Sequence, residues 1–224
     1  MSKREQIKQQ VLDLVNSLDE TVLCSEAEKD QLKELCDALC PYTPEPRPID
    51  NQQAAQGVWL TRFASFGVKH SDNQPMQHAS NLRRQSFGNL SGGDVYVTRL
   101  LQEIERSTQA YNNVVHVRNP DGDATAVILM EGTYARDDED PRRYGVDFKR
   151  VSFAASDGKD EAQLRKSFAI ADDAPLAVEF RPPKLHSDIV YVDDDLRINY
   201  GKLGGFYVLT RTQDKGYSVA LNQG

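Results

Sequence analysis

No run of apolar residues in this chain is long enough to cross a bilayer as a helix. The longest are a few residues, such as Ala126-Val-Ile-Leu-Met130, against the roughly 20 that a span requires. That excludes a helix-spanning membrane protein. Basic charge is in deficit: 27 Lys and Arg stand against 34 Asp and Glu, a net charge of −7. Binding to a nucleic-acid backbone is excluded on that ground, since it needs a basic footprint. Cysteine is scarce. Cys24, Cys36 and Cys40 are an odd set crowded into one segment, which is no disulfide framework. Cys36 and Cys40 share a helical face, but no His accompanies them, so packed free thiols are expected rather than a metal or redox centre. The amino terminus lacks both the apolar core of a secretory signal and the acid-poor character of a transit peptide. A cytoplasmic chain, or one already processed, is the corresponding expectation.

Catalytic signatures are missing as well. There is no Gly-x-Ser-x-Gly elbow, no phosphate-cradling glycine loop before a helix and no His-Glu-x-x-His. The four histidines are scattered. His70 and His78 come without a third ligand. No catalytic residue, metal or resident cofactor is therefore expected.

What the chain does contain falls into two parts. Ile7, Val11, Leu14, Val15 and Leu18 recur at helical spacing, and Leu32, Leu35, Cys36 and Leu39 form a second apolar stripe behind the capping box Ser25-Glu-Ala-Glu28. This predicts an αα hairpin. Residues 1–48 hold six basic and ten acidic residues, a net of −4, so a basic membrane-surface helix is disfavoured. Pro41, Pro44, Pro46 and Pro48 then end the helices.

Beyond the prolines the pattern has period two. Strands are predicted at Gly57–Phe66, Asp94–Ile104, Asn113–Arg118, Thr125–Tyr134, Tyr144–Ala154, Ala177–Phe180, Ile189–Asp193, Leu196–Tyr200, Phe206–Arg211 and Tyr217–Leu221. So many strands without long intervening helices imply an antiparallel sheet, which closes on itself to remove its edges. Residues 68–93 read as a long polar loop carrying Arg83, Arg84 and Phe87. Asp193-Asp-Asp195 reads as a hairpin turn rather than an acid pair. Strict alternation places Trp59, Thr61, Phe63 and Ser65 on one face of the first strand, with Val58, Leu60, Arg62 and Ala64 on the other. Both faces are apolar there and at Thr125–Met130. Either the hairpin covers the outside of a filled barrel, or the barrel holds an apolar ligand.

Ile189–Arg211 resembles the carboxy-terminal signature of the plastid lipid-associated proteins, or fibrillins. Tyr191, Asp193, Leu196, Arg197, Ile198, Gly201, Gly205, Phe206, Val208 and Leu209 fit that pattern, and the Gly57-Val-Trp59 opening and Asn113-Val-Val115 also look like the family. Tyr200 and Leu60-Thr-Arg62 depart from it. The similarity spans about residues 55–212. It implies a lipocalin-like barrel that binds lipids or isoprenoids such as prenylquinones or carotenoids, without catalysis, at or near photosynthetic membranes, in a cyanobacterial-type member or a processed plastid chain.

The resulting expectations are a mainly β chain, with a helical hairpin and connector at 1–48 and a lipocalin-like barrel at 49–224. An Arg from a late strand, Arg197 or Arg211, is expected over Trp59. Trp59, Phe63, Val127, Leu129, Phe206 and Val208 are lining candidates, with Tyr191 and Arg197 as polar anchors. Gly57, Asp193, Gly201, Gly205 and Arg211 are assigned to structure. The partners expected are an apolar ligand inside and a thylakoid surface or protein at the hairpin. The alternatives are a scaffold with a filled barrel and a lyase-like carrier of bilins, with Arg62, Arg118 and Arg197 holding an acidic tetrapyrrole.

Overall fold

The computed structural model describes residues 1–18, 24–65, 80–83, 90, 92–156, 158–182, 184–202 and 204–213. Two helices open the chain, α1 (Lys3–Ser17) and α2 (Glu26–Leu39). Each begins with a capping box: Ser2 with Glu5, and Ser25 with Glu28. A 3-10 turn, Cys40–Tyr42, and Pro41 within it end the second helix. The short helix α3 (Gln52–Ala55) leads into β1 (Gly57–Ser65). Then come β2 (Ser80–Arg83), β3 (Asp94–Glu105), β4 (Ala110–Arg118), β5 (Thr125–Arg136) and β6 (Arg143–Ala155). Helix α4 (Glu161–Ser167) is followed by β7 (Ala177–Glu179), β8 (Leu185–Val192), β9 (Leu196–Gly201) and β10 (Phe206–Arg211).

Eight strands close an antiparallel barrel in the order β1, β10, β9, β8, β6, β5, β4, β3, with β3 returning to β1. β2 adds to β3 outside the ring, and β7 pairs with β6. The mainly β barrel with amino-terminal helices expected from the sequence is thus the observed fold. β2 lies in the segment read as a loop, and α4 was not predicted. The Tyr217–Leu221 strand, Arg84, Phe87, His70 and His78 lie outside the described residues.

Register decides which side chains face inward. Trp59 pairs with Arg211 and Thr61 with Leu209, but Phe63 pairs with Val208. Arg62 is therefore a bulge, and the alternation inverts behind it. Phe63 faces outward and Ala64 inward, the reverse of strict period two. A second bulge lies where β5 meets β6, since Glu131 pairs with Arg150 and Gly132 with Phe148. A Cβ on Gly132 would stand 2.9 Å from the Asp147 carbonyl oxygen and 3.0 Å from the Phe148 Cα, so this close approach requires glycine.

The inward side chains form two clusters. Val95, Val97, Val117, Ile128, Val151 and Phe153 pack with Leu164 of α4 and with Phe168 just after it, and the Phe153 and Phe168 rings meet edge to face at 5.0 Å. Trp59, Ile104, Tyr111, Tyr134, Tyr144 and Leu209 pack with Ile49 and Ala55 from the connector. On the outside, Val11, Val15, Leu32, Cys36 and Leu39 of the hairpin bury against Phe63, Tyr191, Ile198, Phe206 and Val208. Each fully buried aliphatic side chain there contributes about 1.5–3 kcal/mol. Lys8 adds an ion pair to Asp193 at 2.8 Å and another to Asp195, while Tyr200 donates to Asp37. The apolar stripe of the hairpin is occupied by the barrel. Cys24, Cys36 and Cys40 are free thiols, and burial pushes that of Cys24 up to about 11.

Candidate ligand-binding site

Between the two inward clusters lies a cavity of about 270 Å³. Leu100, Val146 and Phe148 supply its apolar wall, and Gln102, Tyr111, Asn113 and Ser187 its polar groups. It opens where β8 leaves β6: their pairing covers only Arg143–Val146 against Leu185–Asp188, after which β6 continues alongside β7. Leu185, His186 and Lys202 stand at this mouth, with Leu185 40% exposed.

Behind the polar wall is Arg197, wholly buried. Its guanidinium carbon lies 4.8 Å from the centre of the Trp59 ring, and that of Arg211 lies 4.1 Å from the same ring. Both candidate arginines therefore engage the tryptophan. Each contact is worth about 0.5–2 kcal/mol, more where water is excluded. Their other bonds differ. Arg211 spends its donors on backbone oxygens of Asp194 at 2.6 Å, Gln56 at 2.5 Å and Ala54 at 3.0 Å, tying the connector to the Asp193 turn. Arg197 donates Nη2 to Oε1 of Gln102, while its Nε and Nη1 have no partner. Burial holds its pKa below the ordinary guanidinium value. Burial likewise raises that of Tyr111 well above the usual phenol range. Asn199 donates to the Tyr144 hydroxyl at 2.8 Å, and the side-chain oxygens of Asn113 and Asn199 are unpaired.

Of the eight lining and anchor candidates, Trp59 and Arg197 point into the barrel. Phe63, Tyr191, Phe206 and Val208 point outward beneath the hairpin. Val127 and Leu129 also point outward, packed with Leu101 and Val114. The lining assignment for these six is corrected accordingly: the outer faces of these strands are as apolar as the inner ones because they too are buried. Arg62 and Arg118 are not among the cavity residues; Arg118 stacks on Tyr96 at 4.5 Å. Gln102, Asn113, Tyr111 and Tyr144 were missed. The alternation Leu100-x-Gln102-x-Ile104 carried the signal for Gln102.

Among the residues assigned to structure, Gly57 has φ +119°, and a Cβ there would meet Arg211 Nη1 at 2.7 Å. Asp193 Oδ1 accepts the backbone N–H groups of Asp195 at 3.1 Å and Leu196 at 2.9 Å, the geometry of a side-chain-closed turn. Burial opposes its ionisation, but Lys8, the Tyr191 hydroxyl, the Asp195 side chain and the Leu196 N–H outweigh burial and hold its pKa at about 2. Gly201 donates to Gly205 across the next turn at 2.8 Å, where Gly204 takes the positive φ of +84°. A larger cleft of about 880 Å³ beside Glu45, Asn51, Arg106 and Asp194 lies outside the barrel. Among the described residues no three His, Cys, Asp or Glu side chains converge to hold a metal. No helix there is long and apolar enough to cross a membrane.

An antiparallel ring of eight strands, plugged at one end by a helix and at the other by a connector, with arginines stacked on the tryptophan of its Gly-x-Trp opening, has the architecture of the lipocalin-like barrels. Within that class the match is to one family. The PAP_fibrillin family model covers residues 5–210, and the chain belongs to this family of plastid lipid-associated proteins. No curated protein matches the chain in sequence.

Proposed function

We propose that the barrel binds a lipid or isoprenoid non-catalytically, at or near photosynthetic membranes, with the ligand's head inside and its tail leaving through the Leu185 mouth. The observation that carries this reading is the 270 Å³ cavity with its apolar wall of Leu100, Val146 and Phe148. A filled scaffold would have no such space. The volume falls just below the roughly 300–1,000 Å³ of pockets that enclose whole drug-sized ligands. It suits the head and first segment of a longer molecule, such as a prenylquinone, better than an entire carotenoid. The family points to a lipid, and the surface charge gives no reason to expect nucleic acid. A cytoplasmic or peripheral thylakoid position, or a plastid one for a processed chain, goes with this reading, as does a membrane or protein contact made by the hairpin's exposed side.

The test is extraction from a photosynthetic host, with mass spectrometry of the co-purified lipids. A titration follows the fluorescence of Trp59, the only tryptophan. Enrichment of one lipid class and saturable quenching are expected, both lost in Leu100→Phe, which narrows the cavity without adding a second tryptophan. A protein that emerges empty and shows no saturable response to quinone, carotenoid or acyl lipid would sink the proposal; a bilin absorbance shift would move it to a tetrapyrrole.

A further inference from the structure

The buried guanidinium makes the ligand's head group more specific. Arg197 is wholly enclosed and forms no ion pair among the described residues, and two of its nitrogens lack a hydrogen-bond partner. The acidic residues of the Asp193 turn act on Arg211; the groups acting on Arg197 are Tyr111, Tyr144 and Arg211 itself. So the barrel interior carries a positive charge at Arg197, with a second cation against the same indole and, among the described residues, no carboxylate acting on Arg197 to offset it. A buried charge is costly unless it is paired. Gln102 connects this charge to the cavity. Its carbonyl oxygen is committed to Arg197, which leaves its amide N–H groups to offer to an occupant, while Asn113 on the same wall is unpaired at Oδ1. An amide can turn end for end to present either its donor or its acceptor.

We propose that the ligand is a single-chain amphiphile with a carboxylate head, received at the Gln102–Arg197 pair, with its tail along Leu100, Val146 and Phe148. This rests on reading the cavity as a lipid site. The carboxylate supplies the missing negative charge and accepts from Gln102, and from Arg197 when Gln102 turns aside. The apolar wall selects against small anions.

The experiment titrates the wild-type chain with a 16-carbon fatty acid, the alcohol of the same length, a short-chain prenylquinone analogue and acetate, reading Trp59 fluorescence and competition. The acid is expected to bind at least tenfold more tightly than the alcohol or the quinone, and acetate is expected not to compete. Arg197→Met removes that preference. Gln102→Glu removes it too, by placing a carboxylate beside Arg197, and raises the melting temperature of the empty protein. This second variant keeps the test decisive if the first misfolds. Equal affinity for acid, alcohol and quinone overturns the anionic head while leaving lipid binding intact. Competition by acetate overturns the amphiphile. Failure of every lipid to bind overturns this proposal and the lipid-binding reading together.

Discussion

Replacing Asp193 by Asn removes one charge and turns the acceptor of the Tyr191 hydroxyl bond into a donor, which the rotatable hydroxyl can accept from. The amide keeps an oxygen for the N–H groups of Asp195 and Leu196, so the turn persists while the Lys8 ion pair is lost. Asp193 is held at about 2 from an ordinary 3.8. At 1.36 kcal/mol per pKa unit this bounds the contribution of the charge at about 2 kcal/mol. The neighbouring Asp195 is 65% exposed, and solvent screening brings the expected loss to about 1–2 kcal/mol. For a chain of this size that is about 2–8 °C in Tm. The folded-state pKa lies below the unfolded one, so this stabilisation is complete above about pH 4 and is lost as pH falls through about 2. Thermal melts of wild type and Asp193→Asn at pH 7, 4, 3 and 2.5 should show a gap that is full at the first two values and shrinks over the last two. A gap of constant size down to pH 2.5 would refute the argument, because the charge would then not be its source. Lys8→Met in both backgrounds completes the cycle, and its effect should largely vanish once Asp193 is Asn.

Gly132→Ala should cost about 1–3 kcal/mol, because the atoms its Cβ meets are backbone and cannot move aside; a lower urea midpoint at unchanged slope checks this. Trp59→Ala should cost about 3–5 kcal/mol, since it removes a fully buried ring on which two guanidiniums rest, with Trp59→Phe costing distinctly less in the same unfolding assay. Val208→Ala should lower stability by about 1–3 kcal/mol yet leave ligand affinity unchanged, because Val208 packs on the hairpin; a weakened lipid titration would show that the inward and outward faces have been confused.

The sequence revealed the elements far better than their faces. Period-two runs located β3 to β6 and β8 to β10, and the Ser25 capping box located α2, because these signals are local. Helix α4 was hidden because its core contacts come from Leu164 within a polar turn and from Phe168 and Ile170 beyond it. The direction of Phe63 depended on one extra residue at Arg62, which no alternation rule registers. Phe206 and Val208 looked like lining because burial under the hairpin demands the same residues as burial in a barrel. Trp59 and the two arginines were legible from the Gly-x-Trp opening and the late-strand motif. Gln102 was legible only by its place in the alternation between Leu100 and Ile104, and Asn113 was not, since an inward amide in a strand looks the same as a solvated one.

The hairpin lies against strands that the ribosome makes long after it. Its partners Tyr191, Ile198, Phe206 and Val208 follow it by some 150 residues or more, and the ring itself closes only when β10 reaches β1. Throughout synthesis the nascent chain therefore carries a finished helical stripe of Val11, Leu32, Cys36 and Leu39 with nothing to cover it. Native contacts so distant in sequence slow folding, and exposed apolar stripes invite association meanwhile. A chain stalled or cut before residue 206 retains both an unclosed sheet edge and a naked hairpin, and its expected fate is aggregation or proteolysis rather than a smaller working barrel.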